Sequence, residues 1–196
     1  AITSPFDNKL EAAAFAASPK NNFVDELVLK KLELLRLPPS LQCTDAEFIR
    51  RAFLDTCGIL PKPEEVTAFL NDADPKKRAK LIDKLLERTE FTDYWTMKWS
   101  DLLLVSSRKL PQPAMWAFYR SIRRGVADNE PWDAFARNLV TATGSSLTQG
   151  GGNYFVMHKD ISDLAESTAV TFLGMSITCA RCHNHPLEKW TQDEYW

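Results

Sequence analysis

No apolar run in this chain approaches the roughly 20 residues needed to cross a membrane as a helix. Neither charge dominates: Lys and Arg total 24 and Asp and Glu 26, for a net charge of −2. That balance excludes the basic footprint of a nucleic-acid binder. Glycine is scarce, at seven residues, and histidine scarcer, at three. No stretch alternates apolar and polar residues long enough to predict a strand. There is no internal repeat, no Walker lysine, no hydrolytic triad and no convincing carboxylate pair. An initiator Met is also missing, and Thr191-Gln192-Asp193-Glu194 reads as a capping box just before the last residue, Trp196. We therefore expect a piece of a longer polypeptide, cut short at its C-terminus.

What is present suffices for a core. Apolar residues make up 44% of 196, with six Trp and eleven Phe, enough for one or two compact domains. The apolar spacing is helical nearly throughout and predicts an all-α fold, an irregular bundle of eight to ten helices. Helices are expected over Asp7–Ala17, Phe23–Leu35, Asp45–Cys57, Pro63–Asn71, from Asp74 through Leu86, Phe91–Val105, Pro113–Ala127, Pro131–Ala142 and Ile161–Met175. The loop Gly144–Asn153 holds four of the seven glycines. It reads as a flexible connector, or as a place where backbone passes close to a cofactor.

The four cysteines divide into two pairs. Thr44-Asp45-Ala46-Glu47 is a capping box, so a helix separates Cys43 from Cys57 by about 18 Å along its axis. A disulfide needs Cα atoms within about 7 Å, so none is expected between them. The second pair lies in Cys179-Ala180-Arg181-Cys182-His183, the Cys-x-x-Cys-His signature of c-type haem attachment. Two thiols one turn apart can each add to a vinyl group of one porphyrin. The next residue then presents an imidazole to the iron. The same atoms suit two other uses. Zinc takes Cys and His at this spacing, with His185 as a further ligand. A dithiol redox pair also uses C-x-x-C. No second C-x-x-C completes a zinc site, and no βαβ unit precedes the motif.

Two blocks carry a resemblance. Phe172-Leu-Gly-Met-Ser-Ile-Thr-Cys-Ala-Arg-Cys-His-Asn-His-Pro-Leu-Glu-Lys-Trp-Thr-Gln-Asp-Glu-Tyr195 resembles the planctomycete cytochrome c-like domain. So does Phe48-Ile-Arg-Arg-Ala-Phe-Leu-Asp-Thr-Cys-Gly-Ile-Leu-Pro-Lys-Pro-Glu-Glu-Val66. The similarity runs from about Phe23 to the end. It implies residues 1–22 as an N-terminal extension and 23–196 as a helical cytochrome c-like domain. It further implies an exported protein, periplasmic or extracellular, with a neighbouring domain in the same polypeptide.

The iron would need a second ligand or an open face. His183 is the proximal candidate, and His185 is tethered to the same side. His158, set between the glycine loop and the Ile161 helix, is the first distal candidate, and its alternative reading is a surface residue beside Lys159 and Asp160. Met157 and Met175 are weaker distal candidates and read otherwise as core fillers. Tyr154, Phe155, Phe172, Trp190 and Tyr195 are expected to wall a porphyrin or a plain helical core. Arg50, Arg51, Arg120, Arg123 and Arg124 fit propionates or solvated helix faces.

Three functions stay open. The first is a monohaem electron-transfer module, partnered by redox proteins or an adjoining domain. The second is a haem enzyme or sensor with an open distal site. The third is a structural or binding module with a zinc site or an empty motif.

Overall fold

The structure, a computed structural model, describes residues 5–8, 12–158 and 160–196. Two compact units divide within a helix, as residues 1–47 and 48–196. Among the described residues there is no strand, and no helix is long and apolar enough to cross a membrane.

The first unit contributes α1 (Ala12–Ala16) and α2 (Phe23–Leu34). Residues 9–11 of the expected first helix lie outside the described residues. Asn22 caps α2, accepting from the backbone of Val24 and Asp25, while the Asp25 carboxylate accepts from Asn22 N. α3 (Asp45–Cys57) starts on the expected box: Glu47 Oε2 accepts from Thr44 N at 2.8 Å and Thr44 Oγ1 from Glu47 N at 3.3 Å.

Beyond Glu47, α3 buries Ile49, Phe53 and Cys57, four residues apart on one face. α4 (Pro63–Asn71) and α5 (Lys77–Leu86) close over them with Phe69 and Leu85. α4 begins on Pro63, whose missing N–H costs nothing in a first turn. Cys57 Sγ donates to the Leu85 carbonyl at 3.6 Å, so this thiol packs as a small hydrophobe outside any disulfide. Burial pushes it up in pKa.

A second core gathers α6 (Thr89–Leu102), α7 (Gln112–Ala127), α8 (Trp132–Val140) and α9 (Asn153–Met157) around Phe118, Ile122, Leu139 and Tyr154. Burying one such side chain contributes about 1.5–3 kcal/mol. An exposed ion pair such as Arg137–Asp133, at 3.8 Å, contributes at most about 1 kcal/mol, so the cores hold the fold.

Three expectations shift. α6 stops at Leu102 rather than Val105, because Leu104 turns left-handed, at φ 58°. α7 buries Ala114, Ala117, Phe118, Ile122 and Gly125, whereas Met115, Tyr119 and Val126 are half-buried. Ala114 and Ala117 face inward there because the glycine loop and Asn153 lie against them. A Cβ at Gly150 would collide with the Ala117 carbonyl, so the loop is packed, and its close approach is to a helix. Asn153, wholly buried, fixes it with Nδ2 against the carbonyls of Ala114, Ser146 and Gly150 at 2.7–3.2 Å. Finally, the expected Ile161–Met175 helix is α10 (Ile161–Thr168), a wider π turn over Ala169–Leu173, and left-handed Gly174.

Candidate functional site

The π turn and Gly174 deliver the chain to a 3-10 turn over Thr178–Arg181. Ala180 sits at the middle of that turn and is wholly buried, whereas Cys179 and Cys182 on either side are exposed. The alanine is the anchor, and the two thiols stand out from it. Cys182 N and His183 N both donate to Cys179 O, at 3.4 and 3.3 Å, which sets the imidazole directly after the second thiol.

The two histidines of the segment have opposite proton placements. His183 Nδ1 lies 2.7 Å from the Asn184 carbonyl oxygen. A carbonyl only accepts, so Nδ1 carries the proton, and a neutral His183 keeps its lone pair on Nε2. His185 Nδ1 instead accepts from Leu187 N at 3.2 Å and Glu188 N at 2.9 Å. Its proton is therefore on Nε2, and its Nδ1 lone pair is committed to the turn. His185 N also donates to Trp190 O at 2.8 Å, closing the 185–190 loop. His185 thus acts as a turn-former. Among the described residues, no three or more His, Cys, Asp and Glu side chains converge as a metal cluster would.

The chain after the motif folds back to hold it. α11 (Gln192–Tyr195) begins on the expected capping box, Thr191 with Glu194. Gln192 N donates to Asn184 Oδ1 at 3.0 Å, and Trp196 Nε1 to Arg181 O at 3.2 Å. Glu166 of α10 accepts from Tyr195 Oη at 2.7 Å and from Thr178 Oγ1 at 3.2 Å. Burial and the Glu166 carboxylate push the Tyr195 phenol up in pKa. The sequence offered no convincing carboxylate pair and did not single out Glu166. Its partner lies 29 residues away, so no local pattern marks it.

A cleft of about 460 Å³, lined mostly by apolar side chains, opens beside the anchored turn. Ala180, Met175, Ile177, Leu164, Trp190 and Tyr195 are among its walls. Of the expected aromatics, Tyr154 and Phe155 also border it, while Phe172 packs 5.9 Å from Trp132 instead. Met175 therefore shares a cavity with the motif. Met157 belongs to the second core, 2% exposed, and lies outside the cleft lining. His158 is outside that lining too. It is buried, at 7% exposure, rather than a surface residue, with its ring edge-on to Tyr154 at 4.9 Å. Lys159 lies outside the described residues. His158 Nε2 has no hydrogen-bond partner among the described residues. Burial, aided by the nearby Lys109 charge and opposed by Asp163, lowers the ring's pKa. Arg120 and Arg124 line a different groove, Arg123 pairs with Asp93 at 2.9 Å, and Arg50 and Arg51 are exposed.

The arrangement offers two accessible thiols, one imidazole lone pair and an adjoining apolar cleft. That donor set can bind a flat apolar macrocycle covalently and ligate a metal at its centre. The sequence matches the family PSCyt2, described as a protein of unknown function (DUF1549), over residues 23–196. No curated protein and no solved structure matches the chain.

Proposed function

The chain belongs to PSCyt2, a planctomycete cytochrome c-like family, and we propose that it is a monohaem c-type module that transfers single electrons. The observation that carries this reading is the orientation of His183. Its Nδ1–H is spent on the Asn184 carbonyl, which leaves Nε2 as the metal-binding nitrogen. Cys179 and Cys182 supply the thioether sulfurs, and Ala180 fixes their spacing. Bound there, haem supplies reversible one-electron chemistry at its iron.

The remaining work falls to the protein. Tyr154, Leu164, Trp190 and Tyr195 give the cleft mostly apolar walls, and low polarity around an iron tunes its potential. Asn184 holds the imidazole through its carbonyl and α11 through its side chain. Were haem bound there, two side chains besides His183 could hold its iron. Met175 borders the cleft, and His158 carries a buried Nε2 with no hydrogen-bond partner among the described residues. The reading carries with it an exported location, and an electron partner that is a separate protein or an adjoining domain.

Intact mass and a pyridine haemochrome spectrum test it. Protein matured in a host competent for cytochrome c assembly should exceed its sequence mass by one haem. A bare-chain mass from that host sinks the proposal. A low-spin spectrum that turns high-spin in Met175→Ala, but not in His158→Ala, assigns the second ligand to sulfur. The reverse assigns it to His158. A high-spin spectrum in the unmodified protein moves the reading to an enzyme or sensor with an open iron face.

A further inference from the structure

A second cleft, of about 210 Å³, lies between α6 and the α7–α8 corner. Five aromatic rings line it: Phe91, Trp95, Trp99, Trp132 and Phe135. Glu130 is the one ionisable side chain in that lining. The rings form two groups. Phe91 and Trp95 stand 6.3 Å apart, and Trp132 stacks on Phe135 at 4.8 Å with Trp99 3.9 Å from Trp132. Trp95 spends its Nε1–H on the Thr56 carbonyl at 3.1 Å, so its ring enters the lining with the polar edge satisfied.

The carboxylate is placed with care. Glu130 Oε1 accepts from Asn138 Nδ2 at 2.6 Å, which orients the group without neutralising it. No cation among the described residues lies within ion-pair distance of Glu130. Arg120 and Arg124 border the adjoining groove, which Glu130 also touches, and both are exposed and screened by solvent. Gly125 makes room: a Cβ there would stand 2.8 Å from Phe135 Cδ2 and 3.1 Å from Glu130 Oε2. A half-buried carboxylate in the wall of an aromatic-lined cleft, with no cation among the described residues in ion-pair distance, is the chemistry that recognises an organic cation. The negative faces of the rings attract it, and the apolar walls reward its weak hydration.

We propose that this cleft binds a quaternary ammonium group, with the rings as its cage and Glu130 as its counter-ion. A methylated ammonium suits the space better than a lysine ammonium, which is strongly hydrated. The site is separate from the cysteine motif and stands or falls independently of it.

Choline is the probe, and dimethylbutanol, its neutral carbon isostere, is the control. Saturation-transfer NMR on the intact chain at fixed ionic strength reads the methyl signals, and titration gives the dissociation constants. Choline should bind saturably and the isostere at least about fivefold more weakly. Glu130→Gln keeps the acceptor for Asn138 and should weaken choline about fivefold without weakening the isostere. Trp132→Phe, which keeps a ring against Phe135 and Trp99 but weakens the cation–ring attraction, should weaken choline and not the isostere. Equal binding of choline and the isostere would overturn the proposal and leave a plain apolar cleft. So would absence of saturable choline binding, or an undiminished affinity in Glu130→Gln.

Discussion

Tyr195 Oη donates to Glu166 Oε1 at 2.7 Å, joining the chain after the cysteine motif to the helix before it. Thr178 Oγ1 reaches the other oxygen of the same carboxylate, at 3.2 Å. The motif is therefore bracketed by two bonds to one side chain. Tyr195→Phe removes one bond and keeps the ring in the cleft. A hydrogen bond to a charged group contributes about 1.5–3 kcal/mol, and partial exposure brings this one nearer 1 kcal/mol. We expect faster amide exchange across 178–196 with an unchanged global melting temperature. Equal exchange in the variant would show that the bond does not hold the segment.

Gly150 and Gly152 are two residues apart and should respond oppositely to alanine. At Gly150 a Cβ meets the Ala117 backbone carbonyl, which cannot rotate away. Gly150→Ala should cost about 1–3 kcal/mol through overpacking. At Gly152 nothing lies within 4 Å, and φ −59°, ψ −19° is helical. Gly152→Ala should be neutral or stabilise by about 0.4–1 kcal/mol, by restricting the unfolded chain. Urea titrations of both variants measure the difference, and equal midpoints would contradict the packing of the loop on α7.

The elements with local signals were the readable ones. α3 and α4 begin where the Thr44–Glu47 box and Pro63 announce them, because a cap is a matter of three or four neighbouring residues. The end of α6 carries no such mark: Leu104 adopts a left-handed φ that its side chain disfavours. Nor does the π turn after Thr168, since the apolar spacing runs through it unbroken. The motif and His183 are legible from spacing alone. The proton placements on His183 and His185 are not, because carbonyl and amide partners are set by backbone geometry. Glu166 and the aromatic cleft around Glu130 depend on pairings between separate helices, which one sequence does not display.

Ala180 and its flanking cysteines make a sharp contrast within four residues. Cys179 and Cys182 are exposed and touch no core, so Cys179→Ala with Cys182→Ala should leave the stability of the haem-free chain within about 0.5 kcal/mol. Ala180 is wholly buried against the cleft. Ala180→Leu should cost about 1–3 kcal/mol, or distort the turn that spaces the thiols. Thermal melts of the haem-free proteins test the first claim. The fraction of chain carrying two thioethers tests the second, and a fully loaded, fully stable Ala180→Leu protein would show that the turn tolerates bulk.

Arg88, between α5 and α6, bonds one carboxylate on α4 and one on α6, beside the core of α3, α4 and α5. It donates from Nη2 to Glu90 Oε1 and from Nη1 to Glu65 Oε1, both at 2.7 Å, with its guanidinium over the Phe53 ring at 5.4 Å. The hydrogen bonds from Arg88 hold the Glu90 carboxyl down to about 2. Burial pushes Glu65 upward, but the Lys62 backbone N–H and Arg88 outweigh it, and the net shift is down. Both carboxylates are thus more acidic folded than unfolded. Their contribution is complete above the ordinary glutamate value of about 4.3, and it fades as pH falls from there through about 2 for Glu90. The melting temperature should therefore drop on acidification across that window. Arg88→Met keeps the contact with Phe53 but removes the charge. Its melting temperature should be lower at neutral pH and should fall less steeply toward acid. Parallel pH profiles for the two proteins would show that the acid sensitivity arises elsewhere.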